Sequence, residues 1–83
     1  MTQRHLVFEA AWFEAFEELA ATDLAQARRV RAAVNALARD PEPANGIHWG
    51  DSLFYRLHLG DYRVLYEVQG DTIRIWSLGR APR

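Results

Sequence analysis

Cysteine is missing from the 83-residue sequence, and long hydrophobic runs are missing as well. Without cysteine the chain has neither disulfide bonds nor thiolate metal sites, which agrees with a reducing compartment. No apolar run approaches the roughly 18 residues of a membrane-spanning helix, and residues 1–5 lack the long apolar stretch of a signal peptide. We therefore expect a cytoplasmic protein that does not cross a membrane.

Lysine is absent too, so all ten basic residues are arginines, and they are set against eleven acidic residues. The net charge of −1 gives no overall basic excess of the kind that nucleic-acid-binding domains usually show. A nucleic-acid surface would therefore have to come from the placement of the charges. Arginine suits forked contacts to phosphate or carboxylate, but a GC-rich genome would also favour it over lysine.

The hydrophobic content of 49% and the charged content of 25% are those of an ordinary globular protein. Three Trp, three Tyr and four Phe residues supply large apolar side chains. A chain this short has room for one core, so we expect a single domain over residues 1–83.

Hydrophobic spacing predicts one strand followed by two helices. Residues 4–8 alternate between two faces, as a short strand does, and from Ala10 the period becomes helical. Asp23 and Gln26, three residues apart, resemble a capping box that starts a second helix. Because the link between the helices is short, we expect an antiparallel helical hairpin. Its apolar positions are Trp12, Phe13, Phe16, Leu19 and Ala20, then Leu24, Ala27, Val30 or Arg31, Val34 and Leu37.

Three strands are predicted after the helices. The DPEP segment at 40–43 ends the second helix, and Asn45-Gly46 marks a turn in the following loop. Apolar and polar residues then alternate in three segments joined by the tight turns Gly60-Asp61 and Gly70-Asp71, which predicts an antiparallel meander. These segments are residues 53–59, 62–68 and 72–78. The order β-α-α-β-β-β gives an α+β fold, a helical hairpin packed on a curved antiparallel sheet.

The alternation also divides the side chains between the two faces of this sheet. One face should pack against the helices, and the other should face solvent. The predicted core contains Val64, Tyr66, Leu53, Leu57, Trp12, Phe16, Val34 and Leu37. The opposite face should carry Phe54, Arg56, His58, Arg63, Leu65 and Glu67.

The central hairpin carries the most specific pattern in the chain. Residues 54–68 read FYRLHLGDYRVLYEV, which resembles the Y-R-L-x-x-G-x-Y-R-V-x-Y-x-V pattern of RelE/ParE superfamily toxins. Residues 75–80, IWSLGR, are similar to the last strand of that family, and the helical hairpin and the DPEP segment fit as well. The resemblance covers nearly the whole chain and implies a RelE-like fold and a toxin of a type II toxin–antitoxin pair.

This resemblance implies a partner and several possible activities. The partner is a cognate antitoxin whose C-terminal segment wraps the toxin. RelE-like members are metal-free endoribonucleases (mRNA interferases) that cut mRNA in the ribosome and inhibit translation, whereas ParE-like members poison DNA gyrase. A catalytically degenerate member that only binds its antitoxin is a third possibility, and the fold does not choose among them.

Three basic residues of the hairpin are the candidate catalytic residues. Arg56 and His58 are two residues apart and therefore share a face, and Arg63 lies near His58 across the turn. In RNA-cutting relatives these positions carry basic residues used in cleavage, so the resemblance implies that Arg63 clamps the scissile phosphate, Arg56 assists and His58 transfers a proton. A soluble face, or a surface for an acidic antitoxin segment, would need the same side chains.

The resemblance is incomplete near the end of the sequence. Ala81 stands where relatives often carry an arginine, and no tyrosine follows, although active RNA cutters commonly have one in a C-terminal extension. Arg80 and Arg83 are the candidates to bind RNA phosphate in place of the missing arginine. Glu67 is an alternative base to His58, or else a partner in a cross-strand salt bridge.

Metal and cofactor sites are not expected, because the three histidines, His5, His48 and His58, lack metal-ligand spacing. Trp49, in the loop before the meander, has two interpretations. We favour a tryptophan that fills the junction between the helices and the sheet, and the alternative is a side chain that stacks on a nucleic-acid base.

Overall fold

Two helices cover one face of a five-stranded mixed sheet in the computed structural model, which describes residues 3–81. The elements are β1 (His5–Phe8), α1 (Ala10–Thr22), α2 (Leu24–Ala36), β2 (Gly46–His48), β3 (Phe54–Leu59), β4 (Tyr62–Gln69) and β5 (Thr72–Arg80). Across the sheet the strand order is β1-β5-β4-β3-β2. The predicted α+β class, with a helical hairpin on a sheet, is confirmed. Within the described residues, no helix is long and apolar enough to cross a membrane.

The sheet differs from the prediction in two respects. First, β1 pairs with β5 in parallel, from His5 opposite Thr72 to Phe8 opposite Ile75, so the sheet is mixed and not wholly antiparallel. The helical hairpin between β1 and the meander is a long enough connection to allow parallel pairing. Second, β2 adds a short antiparallel strand beside β3, where the sequence indicated only a loop.

Asp23 joins the two helices. Its backbone N–H donates to the carbonyl oxygen of Leu19 at 2.7 Å and so ends α1. Its side chain accepts from the backbone N–H of Gln26 at 3.1 Å and so starts α2. The reciprocal half of the predicted capping box is missing, because the Gln26 side chain accepts from Arg29 instead.

The core lies between the helices and the inner face of the sheet. Six predicted core residues are buried, namely Trp12, Val34, Leu37, Leu57, Val64 and Tyr66, and Phe16 packs against them while partly buried. The expectation for Leu53 is wrong, because its side chain is 48% exposed in the loop that precedes β3. Phe13 and Leu24 are also exposed, at 51% and 52%. Phe13 follows the buried Trp12 in α1 and points away from the core, and Leu24 is the first residue of α2.

A β-bulge interrupts the pairing of β4 with β5. Leu65 lies opposite Ser77 and Tyr66 lies opposite Ile75, so Trp76 is the extra residue. A bulge shifts the alternation of every residue that follows it. Consequently Leu78 points into the core, and the residues after it change sides with it.

Candidate functional site

The sheet face that the helices leave uncovered is called the open face. Successive side chains of a strand point to opposite faces of the sheet, so every second side chain of the meander lies on the open face, away from the core. Its members are Phe54, Arg56 and His58 of β3, Arg63, Leu65 and Glu67 of β4, and Arg74, Trp76, Ser77 and Gly79 of β5. This is the face on which the sequence placed the candidate catalytic residues.

The structure brings Arg56, His58 and Arg63 together. His58 and Arg63 lie directly opposite each other across the β3–β4 hairpin, and Arg56 is two positions before His58 on the same face. Burial lowers the pKa of His58 below its ordinary value of 6.5, and the positive charges of Arg63 and Arg56 lower it further. The imidazole is therefore neutral at neutral pH and has a lone pair with which to accept a proton.

The guanidinium group of Arg63 is fixed by the turn that precedes it. Its Nη1 donates to the carbonyl oxygen of Gly60 at 2.7 Å and to that of Tyr62 at 2.8 Å. Gly60 has a φ of +59°, a conformation that glycine adopts readily and other residues rarely do. The turn thus orients a positive charge in advance, as electrostatic stabilisation of a developing negative charge requires.

A groove of about 460 Å³ runs along this part of the open face. Gly79, which pairs with Arg63, belongs to its lining, and a Cβ atom added at Gly79 would meet no atom within 4 Å. The floor of the groove therefore has free space beside Arg63. The full lining is Trp49, Arg56, Arg63, Leu65, Ser77, Gly79, Arg80 and Ala81.

Trp49 does not fill the junction between helices and sheet, so the favoured sequence interpretation is wrong. Its side chain is 59% exposed, and the guanidinium carbon of Arg56 lies 5.4 Å from its ring centroid. Stacked rings occupy the inner side of the sheet instead. The buried rings of Tyr55 and Tyr66 stack there with centroids 5.3 Å apart, and the exposed ring of His48, at the edge of the sheet, stacks on Tyr55 at 4.6 Å.

Arg80 contributes to the lining of the same groove as Arg56 and Arg63, but its guanidinium group turns away from the three candidate catalytic side chains. It pairs with Tyr62, and its guanidinium carbon lies 5.9 Å from the Tyr62 ring centroid, on the helix side of the sheet. The bulge at Trp76 is the cause, because it moves Leu78 to the core and Arg80 with it. Arg83, the other predicted phosphate ligand, lies outside the described residues.

Glu67 occupies the far end of the open face. It lies four positions from Arg63 along β4, about 13 Å at the usual rise of a strand, and its Oε1 accepts from Trp76 Nε1 at 3.2 Å. Among residues 3–81 it forms no salt bridge, since Arg74 opposite it pairs with Glu9 at 2.5 Å. The geometry thus separates Glu67 from the cluster. Within the same residues, no three His, Asp or Glu side chains are grouped so that they could hold a metal ion.

Comparison with known proteins gives a family for this fold. A family model described as the ParE toxin of the type II toxin–antitoxin system parDE matches residues 7–83. A chain of the archaeal RelE–RelB complex from Pyrococcus horikoshii OT3 is similar at 27% identity and a TM-score of 0.78, with 100% of this chain and 99% of that chain covered. A search of the curated proteins finds no match.

Two further structures share the fold at lower identity. One is a chain of the chromosomal ParDE toxin–antitoxin system from P. aeruginosa, with 14% identity, a TM-score of 0.74, and coverage of 96% of this chain and 98% of that one. The other is a mutant of the E. coli toxin RelE in the free state, with 17% identity, a TM-score of 0.75, and coverage of 94% and 83%. Since the family model matches nearly the whole sequence, this chain belongs to the ParE toxin family of type II toxin–antitoxin systems, within the RelE/ParE superfamily.

Proposed function

We propose that this toxin is an endoribonuclease that cuts mRNA on the ribosome and so inhibits translation. The observation that supports the proposal best is the grouping of Arg56, His58 and Arg63 on one solvent-facing surface, with His58 directly opposite Arg63. Cleavage of RNA by its own 2′-hydroxyl needs a group that removes a proton and groups that stabilise charge on the phosphate. The cluster contains both kinds of group.

The proposed reaction uses His58 as the base. The neutral imidazole takes the proton of the 2′-hydroxyl, the 2′-oxygen forms a bond to phosphorus, and the bond from phosphorus to the 5′-oxygen breaks. The products are a 2′,3′-cyclic phosphate and a 5′-hydroxyl, whose proton comes from water. Arg63, held by the turn carbonyls, stabilises the additional charge on the phosphoryl oxygens, and Arg56 assists it through forked donors.

We also propose that the chain binds a cognate antitoxin. Two of the similar structures come from the RelE–RelB complex and from the ParDE toxin–antitoxin system. The arginines of the open face suit an acidic segment of such a partner, which would cover the groove and silence the toxin. Antitoxin binding is compatible with cleavage of mRNA and with inhibition of gyrase alike.

Expression of the toxin without an antitoxin in bacteria tests the nuclease. We expect growth arrest, with new mRNA 5′ ends inside translated codons. Removal of one preoriented charge-stabilising donor costs about 100- to 1000-fold in rate, so Arg63→Ala should remove these ends. The matched control is Arg28→Ala, which deletes an exposed arginine from α2 and should leave cleavage unchanged.

A second candidate function is favoured by the family model, which describes the ParE toxin. As the sequence resemblance implies, ParE-like members poison DNA gyrase. In the same experiment a gyrase poison would arrest growth and induce the DNA-damage response while mRNA stays intact. Normal growth in the presence of folded, soluble protein would contradict both functions and identify a member that only binds its antitoxin.

A further inference from the structure

We propose that Trp49 and Arg56 form a stacking site for one base of single-stranded RNA, next to the phosphate that Arg63 would hold. The inference rests on the proposed nuclease function and adds to it the part of the substrate that this end of the groove would recognise. It depends on four observations, namely the exposure of Trp49, the fixed position of its loop, the placement of Arg56 and the charge of the surrounding surface.

Trp49 contributes little to the core. Among the exposed large hydrophobic side chains of residues 3–81 it has the highest fractional exposure, 59%. Tryptophan has more apolar surface to bury than almost any other side chain, so leaving it in water gives up stability. A base stacked on the indole ring would cover that surface.

The loop holds Trp49 in a defined position. The Trp49 N–H donates to the carbonyl oxygen of Phe54 at 2.9 Å, and the Trp49 carbonyl oxygen accepts from Ser52 Oγ at 2.5 Å. His48 Nε2 donates to the Ser52 carbonyl oxygen at 2.5 Å. Since both backbone groups of Trp49 are hydrogen-bonded, one to Ser52 of the loop and one to Phe54 of β3, the backbone that carries the ring has little conformational entropy left to lose on binding.

Arg56 connects Trp49 to the candidate catalytic residues. Its guanidinium carbon lies 5.4 Å from the indole centroid, and a guanidinium plane is itself a surface on which bases stack. Trp49 and Arg56 line the groove that contains Arg63, and they also line a cavity of about 200 Å³ that contains His58. We call Trp49 and Arg56 together the stacking platform. A nucleobase on this platform would therefore lie beside both Arg63, the proposed phosphate ligand, and His58, the proposed proton acceptor.

The chemistry around the platform favours RNA over an apolar peptide. The residues that line the groove and the cavity include Arg56, Arg63, His48 and His58 and no carboxylate. A base–ribose–phosphate unit supplies a flat ring for Trp49 and a negative charge for the arginines. Because every base has a π-face, such a site is tolerant of sequence and needs a strand that is not paired.

Binding of short RNA by the purified toxin tests the inference without ribosomes or cleavage. The probes are a labelled oligoadenylate and an abasic ribose–phosphate oligomer of the same length, followed by fluorescence anisotropy at low ionic strength. We expect tighter binding of the oligoadenylate. Trp49→Ala should weaken that binding about 5- to 150-fold, as loss of one stacked base does, and leave the abasic oligomer unaffected. Trp49→Phe should retain most of the affinity.

Two controls separate stacking from other effects. Phe13→Ala removes another exposed aromatic ring, on α1, and should leave both affinities unchanged. Arg63→Ala should weaken both oligomers alike and keep the preference for bases, so a failed nuclease and a failed stacking site give different results. Equal binding of the two oligomers by the wild-type protein, or no effect of Trp49→Ala, would overturn the inference. If Trp49→Ala weakens the binding of an acidic peptide and leaves the binding of both oligomers unchanged, the surface belongs to a protein partner instead.

Discussion

Gly46, the first residue of β2, lies against the hydroxyl group of the buried Tyr66. A Cβ atom at Gly46 would be 2.8 Å from Tyr66 Oη, and its next contacts, with Pro43, would be 3.2 and 3.3 Å. The Tyr66 hydroxyl donates to the Pro41 carbonyl oxygen at 2.8 Å, and burial raises the pKa of Tyr66 far above its usual value, so the proton stays on the oxygen. This contact anchors the segment that leads to Trp49.

This contact determines how much Gly46→Ala should lower the free energy of unfolding. The overlap can be relieved in one of two ways: the surrounding backbone shifts, at the cost of about 1–3 kcal/mol that overpacking of a core carries, or the hydroxyl group leaves its buried hydrogen bond, which costs a similar amount. We therefore expect a loss of about 2 kcal/mol in the free energy of unfolding, which lowers the melting temperature of a domain this small by roughly 8–16 °C. In a Tyr66→Phe background the closest atom is gone, and the same substitution should cost less than about 1 kcal/mol.

Urea denaturation of the wild type, the two single variants and the double variant measures this coupling. The matched control is Gly79→Ala, because a Cβ atom there meets nothing within 4 Å, and its effect should stay within about 0.5 kcal/mol. If Gly46→Ala costs the same with and without the Tyr66 hydroxyl, the proposed contact is not the cause.

Two further predictions concern the open face. The pKa of His58 is lowered in the folded protein, so below about pH 6.5 the unfolded state binds more protons than the folded state. The free energy of unfolding should therefore fall as the pH drops from 6.5 through the folded pKa. Urea titrations at several pH values should show a smaller fall in His58→Gln than in the wild type. A wild-type pH dependence that survives in His58→Gln would assign it to other groups. Gly79→Leu would fill the space beside Arg63, so RNA binding or cleavage should drop at least about tenfold while the melting temperature stays near that of Gly79→Ala. Unchanged RNA affinity would show that the groove is not used.

Much of the fold was predictable because one face of each long element is buried. The alternation from Leu57 to Tyr66 fixes which side chains enter the core, and the tight turn at Gly60-Asp61 then sets the register of the hairpin. For that reason the shared face of Arg56, His58 and Arg63 followed from the sequence. The parallel pairing of β1 with β5 did not, because alternation is the same for parallel and antiparallel edge strands.

The parts that escaped prediction depend on local geometry that leaves no periodic signal. β2 has only three residues, too few for a period, and hydrogen bonds between Asn45 and His58 hold it in place. Trp49 is exposed in a loop that is held by local hydrogen bonds such as that from Ser52 to the Trp49 carbonyl oxygen, and such bonds leave no periodic pattern in the sequence. Arg80 changes sides because of one extra residue at the bulge, and nothing in the sequence marked Trp76 as that residue.

The most direct test of the proposed function is a purified translation system to which the toxin is added with a defined mRNA, followed by mapping of the RNA 5′ ends. We predict cuts within the translated codons only when ribosomes are present, with the cuts lost in Arg63→Ala and kept in Arg28→Ala. An mRNA that stays intact with the folded wild-type toxin, or cuts that persist unchanged in Arg63→Ala, would contradict the proposed function.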